Sequence, residues 1–509
     1  MAKFIYVFII YTCILIQGWS QQIYSTRYAE TITADEIKDI VYFLAGDSCQ
    51  GRETGMPGQK IAANFIARYF TSLGLLPVIN NNYFQSFPIQ SHPQTSIYIR
   101  TNNLKIDSTE FYYLTGFKTT NLVFSKVVLA GYGIQTAPYN DYTSINVKDQ
   151  IVFVKYGEPI NNGKSIINPR LEQTEWATNF IKKVNAAEKN GAKAVFFIIP
   201  DDLFKETVKN WADIASEYDL EEYYNPYHIP YVFIKQSSTE RIFKQSIQSD
   251  QHYKSVKFNL GLEIKTERST LYGENVLGYI EGTDLRDELI VITAHYDHLG
   301  IHRGKTYWGA DDDGSGTAAI MEIAEAFVEA KKNGHGPRRS ILIMPVSGEE
   351  KGLLGSAYYV QNPVFPLKQT IANLNIDMIG RVDEAHKGNN RYVYLIGSDK
   401  LSTDLHLICE NANRTFTNLE LDYTYNDPQD PNQFYYRSDH YNFAKNNIPV
   451  IFYFTGVHED YHKPTDTPDK IDYEKTANIT RLVFYTAWDL ANRDKRPVVD
   501  KENDFKKTR

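Results

Sequence analysis

Apolar residues follow two textures along this chain. Residues 58–73 place Ile61, Phe65, Ile66 and Tyr69 at helical spacing with Gly74 as a stop, which predicts an early amphipathic helix. From about 120 to 262 the pattern changes to short β-like runs, LVFSKVVLAGYGI, DQIVFVKYG, AVFFII and IPYVFI, with one helical stretch, TEWATNFIKKVNAAEKNG. This reads as a β-rich insert. From about 270 onward, strand-like runs alternate with helical patterns: LIVIT (289–293), SILIMPV (340–346), TIANLNI (370–376), YVYLI (392–396) and PVIFYF (449–454). Such alternation predicts an α/β fold, a mixed β-sheet sandwiched by helices. The organisation expected is a leader at 1–20, a first part of the main domain at 21–119, the insert at 120–262, the main domain at 263–495 and a loose charged tail at 496–509.

Four of the five runs lead directly into residues that bind metals or move protons. LIVIT leads to His295 and Asp297, SILIMPV to Glu349 and Glu350, TIANLNI to Asp377, and PVIFYF to a loop with His458 and His462. In open α/β sheets, sites form beyond the carboxyl ends of strands, where loops from neighbouring strands converge on one crevice. Between two apolar stretches lies GADDDGSGTA (309–318). Its carboxylates would repel one another by roughly 4 kcal/mol per close pair. The helix expected to follow offsets part of that repulsion through its dipole, and bound cations would offset the rest. Two histidines and three carboxylates suit zinc, with one carboxylate shared between two ions. Of the adjacent Glu349 and Glu350, which cannot point the same way, one is free to bind metal and the other to accept a proton.

Two other motifs compete. Asp311, Asp313, Ser315, Gly316 and Glu322 fit the spacing of an EF-hand calcium loop, but HRGKTYWGA before them carries no helical pattern. HEDYH (458–462) spells H-E-x-x-H, which binds zinc only on a helix; Gly456 before it and Pro464 and Pro468 after it predict a loop, leaving His462 as a ligand and His458 and Glu459 as loop residues.

Composition narrows the class. Hydrophobic content of 42% and charged content of 23% are globular values, and a net charge of −8 without a basic patch argues against a nucleic-acid partner. The run from Phe4 to Ile16, with Lys3 before it and small residues near Ser20, reads as a secretory signal cleaved near Ser20 and Gln21. A secreted or periplasmic location follows, without stable membrane association after cleavage. Beyond the leader only Cys49 and Cys409 remain, with their pairing open, so this is not a disulfide scaffold. Asn413-Arg-Thr and Asn478-Ile-Thr fit the glycosylation pattern.

The stretches AHYDHLG, GADDDGSGTA, VSGEEKGLLGS, NLNIDMIGR and DYHKPTDTPDKI together resemble metallopeptidase family 28, which holds co-catalytic di-zinc aminopeptidases and glutamate carboxypeptidases. LAGDSCQGRETGMPGQKIAANFIA resembles the family's N-terminal segment, and the insert resembles a protease-associated domain. The resemblance implies a zinc-exopeptidase fold and two zinc ions: His295 and Asp377 on one, Glu350 and His462 on the other, with Asp312 bridging. It further implies Glu349 as general base, Asp297 as the carboxylate orienting His295, and Tyr461 as a hydrogen-bond donor to the developing oxyanion. The expected activity is that of an aminopeptidase acting on peptides, with a glutamate-type carboxypeptidase or a non-catalytic binding protein on the same scaffold as alternatives.

Overall fold

Residues 22–503 are described in a computed structural model, apart from 92–93, 102–103, 105, 114–118, 209–217, 221–228, 245, 248–252, 268–269 and 303. The leader expected at 1–20 and the last six residues of the tail lie outside them. The chain forms two compact units, one running to Ile89 and resuming at Leu271, the other Gln90–Thr270.

In the first unit the elements are α1 (Ala34–Leu44), α2 (Pro57–Leu73), β1 (Leu76–Pro77), β2 (Gly278–Ile280), β3 (Leu285–His295), α3 (Gly316–Lys332) and β4 (Arg339–Val346). They continue as α4 (Leu354–Gln361), β5 (Thr370–Ile376), β6 (Tyr392–Ile396), α5 (Thr403–Ala412), β7 (Glu420–Asp422), β8 (Val450–Phe454) and α6 (Tyr473–Asn492). The strands form one sheet in the order β1-β2-β4-β3-β5-β8-β6-β7. Its centre, β4-β3-β5-β8, is parallel.

Both faces of that centre are covered, which explains why its strands read as unbroken apolar runs. Ile290, Ile292, Ile341, Ile343, Leu374 and Ile376 share one core with Ile40 and Val41 of α1, Ile66 of α2, Ile320 of α3 and Leu482 of α6. The alternate residues Val291, Leu342, Met344 and Val346 face Tyr359 of α4 and Phe443 on the other side. The five expected strands all form.

Helix α2 also forms and is capped by Gly74 in the left-handed conformation, φ 87°. Its buried face differs from the one expected. Ala62, Ala63, Ile66 and Phe70 are buried whereas Ile61 is exposed. The two alanines let α2 approach its neighbours closely, and that turns Ile61 outward.

The second unit is a seven-stranded sheet in the order 94–101, 253–267, 120–130, 151–155, 194–199, 231–235, 111–113. Its boundaries are wider than the expected 120–262. Strand 94–101 pairs antiparallel with 253–267, and 111–113 pairs with 231–235, so both belong to this sheet and not to the first part of the main domain. Besides the expected helix, found at Phe180–Lys189, a second occupies Gln236–Phe243.

Candidate metal centre

The four parallel central strands deliver their chemistry at one end of the sheet. His295 is the last residue of β3, Asp377 follows β5, and Glu349 and Glu350 follow β4 after a turn in which Gly348 has φ 78°. His462 lies on the loop after β8. Because β4, β3, β5 and β8 are neighbours, residues separated by up to 167 positions meet.

Asp312 stands at the middle of the cluster. Its Oδ1 lies 3.2 Å from His295 Nε2 and its Oδ2 3.1 Å from His462 Nε2. Asp377 Oδ1 is 3.4 Å from His295 Nε2, and Glu350 Oε2 is 3.1 Å from His462 Nε2. Two ligand atoms bound at about 2.0 Å in tetrahedral geometry lie about 3.3 Å apart, so these spacings match the edges of two coordination shells sharing Asp312. Burial sharpens the case. Nε2 of His295, Oδ2 of Asp312 and Oε1 of Glu350 are buried without hydrogen-bond partners, a costly state that a cation relieves. The residues present therefore fit divalent cations.

Each aspartate of the triplet is compensated in a different direction. Asp311 Oδ1 accepts from Gly380 N (2.6 Å), and its Oδ2 lies 3.2 Å from His458 Nε2. Asp313 Oδ1 accepts from Met378 N (3.0 Å) and Gly316 N (2.9 Å), the latter at the start of α3. Burial pushes Asp313 well above the usual carboxylate range, with Asp377 adding to the effect. Asp466 holds the loop by accepting from the backbone N–H groups of Asp311 and Asp312. The Asp312–Asp313 peptide is cis.

Gly309 opens this loop at φ 58°, where a Cβ would come within 2.2 Å of Asp312 O and 2.5 Å of His298 Cγ. Gly309→Ala is expected to cost about 1–3 kcal/mol for the left-handed backbone alone and to displace Asp312 as well. Thermal denaturation and metal binding check this together; a variant unchanged in both would exclude the tight fit.

Around the candidate ligands, Ser438 Oγ donates to Asp377 Oδ2 at 2.7 Å. His295 Nδ1 lies 3.2 Å from the backbone O of Asp297 and 3.8 Å from its carboxylate, so the orienting contact is to the main chain more than to the side chain expected. The Asp297 carboxylate accepts from Thr54 Oγ1 (2.6 Å) and Glu349 N (3.3 Å), and thereby ties the β3 and β4 ends together. Glu349 Oε2 stands 3.9 Å from His295 Nε2, outside the shorter ligand spacings. Burial holds its carboxyl well above the usual range; Glu350, Asp377 and Asp439 push the same way, and His295 opposes them.

Tyr461 lines a cavity of about 30 Å³ with Asp312, Glu349, Asp377 and His462. Its ring stacks on His462 with 3.9 Å between centroids. Burial raises its hydroxyl pKa, and Asp312, Glu350 and Glu349 raise it further, so it stays a donor.

One histidine was not assigned from the sequence. His298 is fully buried, with Nδ1 2.7 Å from Glu350 Oε1 and 3.8 Å from Asp312 Oδ2. With Asp312 and Glu350 it forms a group of three side chains whose ligand atoms lie close enough together to hold a metal ion. The second imidazole of AHYDH, three residues after His295, was its only signal.

The competing motifs resolve as loops. Residues 458–462 are not helical. Ahead of the triplet comes a short strand, Lys305–Tyr307, where an EF-hand would have a helix, and Glu322 accepts from Tyr69 Oη on the far side of the loop. Cys49 and Cys409 are free and buried. Asn413 is buried, donating to Leu419 O and accepting from Leu419 N, which shields it from glycosylation in the folded chain.

The mixed α/β sheet, with its candidate ligands at the ends of parallel strands, has the same fold as solved zinc aminopeptidases. The zinc aminopeptidase BSAP from Bacillus subtilis shares that fold, with 20% identity over 93% of this chain and 98% of its own and a TM-score of 0.53. Residues 275–487 match Peptidase family M28. Aminopeptidase YwaD of Bacillus subtilis is 24% identical over 62% of this chain and 61% of its own length. A probable leucine aminopeptidase of Arthroderma otae is 32% identical over 40% and 55%, and a probable glutamate carboxypeptidase of Arabidopsis thaliana 39% over 20% and 14%. The chain thus spans between 14% and 61% of the length of these curated relatives.

Proposed function

We propose that this protein is a secreted zinc-dependent exopeptidase, an aminopeptidase that removes N-terminal residues from peptides. One observation carries the reading: Asp312 sits between two imidazole–carboxylate pairs built on four adjacent strand ends. His295 and Asp377 would hold one zinc, Glu350 and His462 the other, with Asp312 shared. When bound, the ions would supply Lewis-acid polarisation of the scissile carbonyl and activate water. Glu349 takes the proton released from water and returns it to the leaving amine. Tyr461 Oη donates to the oxygen on which charge develops, and the acidic cluster receives the substrate's terminal ammonium group. Asp297 acts through position, holding the backbone at Glu349.

Secretion rests on the apolar run from Phe4 to Ile16. No helix among the described residues is long and apolar enough to cross a membrane. The second unit is read as a protease-associated domain.

Metal analysis with amino-acyl and carboxy-terminal reporter substrates tests the assignment. Zinc content with amine-dependent cleavage is the expected result. Cleavage only from the carboxyl end would move the protein to the carboxypeptidases, and full loading without turnover would make it a binding protein.

The metal-free protein carries a pH signature. Burial alone would lower His462, yet the carboxylates of Asp312 and Glu350, each 3.1 Å from its Nε2, push it up to about 10. Since this folded value is raised above 6.5, the proton stabilises the metal-free fold fully below pH 6.5, and that contribution is lost as pH climbs through about 10. Zinc must displace this proton. Its affinity is therefore expected to rise between those limits by up to about tenfold per pH unit for each proton released. Calorimetry in buffers of differing ionisation enthalpy counts the protons, and an affinity independent of pH across that window would contradict the ligand assignment.

A further inference from the structure

The small cavity at the metal centre contains one cation among its lining residues that the reaction above does not use. Its apolar walls are Met378, Phe434, Phe452, Phe454 and Val457, and Arg437 stands at its rim. Every other charged lining group is a carboxylate or an imidazole of the centre.

Arg437 is exposed, with its guanidinium carbon 4.9 Å from the centre of the Phe434 ring. Its Nη2 donates to Tyr461 Oη at 3.4 Å. No carboxylate among the described residues pairs with it, although Asp312, Glu349 and Asp377 share its cavity. Stacking on Phe434 holds the planar group in place, and a guanidinium has five donors in a fork that matches a carboxylate. Most of that fork is open.

We infer that Arg437 receives a carboxylate carried by the leaving residue of the substrate, so that short peptides ending just beyond the scissile bond, or with an acidic residue there, are preferred. The apolar walls favour an apolar side chain on the residue being removed, while the cation at the rim lies beside the group proposed to meet the scissile carbonyl oxygen. An anion on the leaving residue would otherwise meet only the negative cluster. This inference rests on the exopeptidase reading, because it needs Tyr461 at the reacting carbonyl.

The test compares Leu-Ala, Leu-Ala-amide and Leu-Glu-amide on the zinc-loaded wild type, Arg437→Ala and Arg437→Lys. The wild type is expected to favour a carboxylate-bearing substrate over Leu-Ala-amide by about tenfold or more in kcat/KM. Arg437→Ala brings that ratio to near one, and Arg437→Lys, which keeps charge but not the fork, retains part of it. A preference for Leu-Ala assigns the carboxylate to the chain terminus, and one for Leu-Glu-amide assigns it to the side chain. Equal turnover of all three by the wild type, or a ratio that survives Arg437→Ala, overturns the inference and leaves the aminopeptidase reading standing. Calorimetry of the same peptides on Glu349→Gln protein gives the answer without turnover. If nothing is cleaved yet the Arg437-dependent binding preference is present, the exopeptidase reading fails and the carboxylate receptor remains; if the preference is missing there too, both fall.

Discussion

Glu349→Gln is expected to lower turnover of an amino-acyl substrate by about 10²- to 10⁴-fold, the usual contribution of a positioned general base, with zinc content and Tm close to wild type. Glu349 Oε2 lies 3.9 Å from His295 Nε2, against 3.1–3.4 Å for the groups proposed as ligands, and it lines the cavity beside them although with His295 and Asp377 it could also hold an ion. Its backbone N–H, held by Asp297, aims the side chain, and glutamine preserves that shape. Burial, reinforced by Glu350, Asp377 and Asp439, also raises its affinity for a proton, as a shuttle requires. Activity, metal analysis and thermal denaturation on one preparation decide the matter. Turnover lost in proportion to zinc would make Glu349 a ligand, and turnover retained would remove it from the chemistry.

The sheet was legible because its central strands are buried on both faces, so 289–293, 340–346, 370–376 and 450–454 appear as apolar runs with polar residues at one end. The clustering of His295, Asp377, Glu349 and Glu350 was legible for the same reason: a histidine or carboxylate where an apolar run stops faces the crevice beyond the sheet. His298 escaped because its role depends on how the chain after β3 doubles back onto Glu350. Ser438 and Arg437 precede a five-residue helix with no strong pattern, and only the fold brings them to Asp377 and Tyr461. The start of the second unit was hidden because strand 94–101 finds its partner some 160 residues later, in 253–267. No local periodicity reports such a pairing.

Arg52 is the largest omission, and its removal is expected to have the largest effect on stability. It is fully buried, and its partners are all backbone carbonyls: Tyr296 O, Leu44 O and Trp308 O, each at 2.7 Å, and Gly309 O at 2.8 Å. Backbone acceptors leave no trace in a sequence, so GRETG gave no hint of this. Burial lowers the pKa of the guanidinium, while Asp297 and Asp312, among other nearby groups, oppose the shift. Tyr296 lies between His295 and Asp297, and Gly309 opens the Asp311–Asp313 loop, so one side chain fixes the spacing between two segments that carry proposed ligands. Each buried carbonyl left unpaired costs about 1–3 kcal/mol. Arg52→Ala should therefore lose about 4 kcal/mol or more, a fall in Tm of about 6 °C or more for a unit of this size. Arg52→Lys, with three donors and no planar fork, should recover part of the Tm yet bind zinc more weakly than wild type, because it cannot reach all four carbonyls at once. Calorimetric Tm and zinc titration on both variants separate the outcomes. A lysine variant with full zinc affinity would show that Arg52 supports the fold without setting the ligand geometry, and an alanine variant as stable as wild type would mean that water replaces the guanidinium without loss.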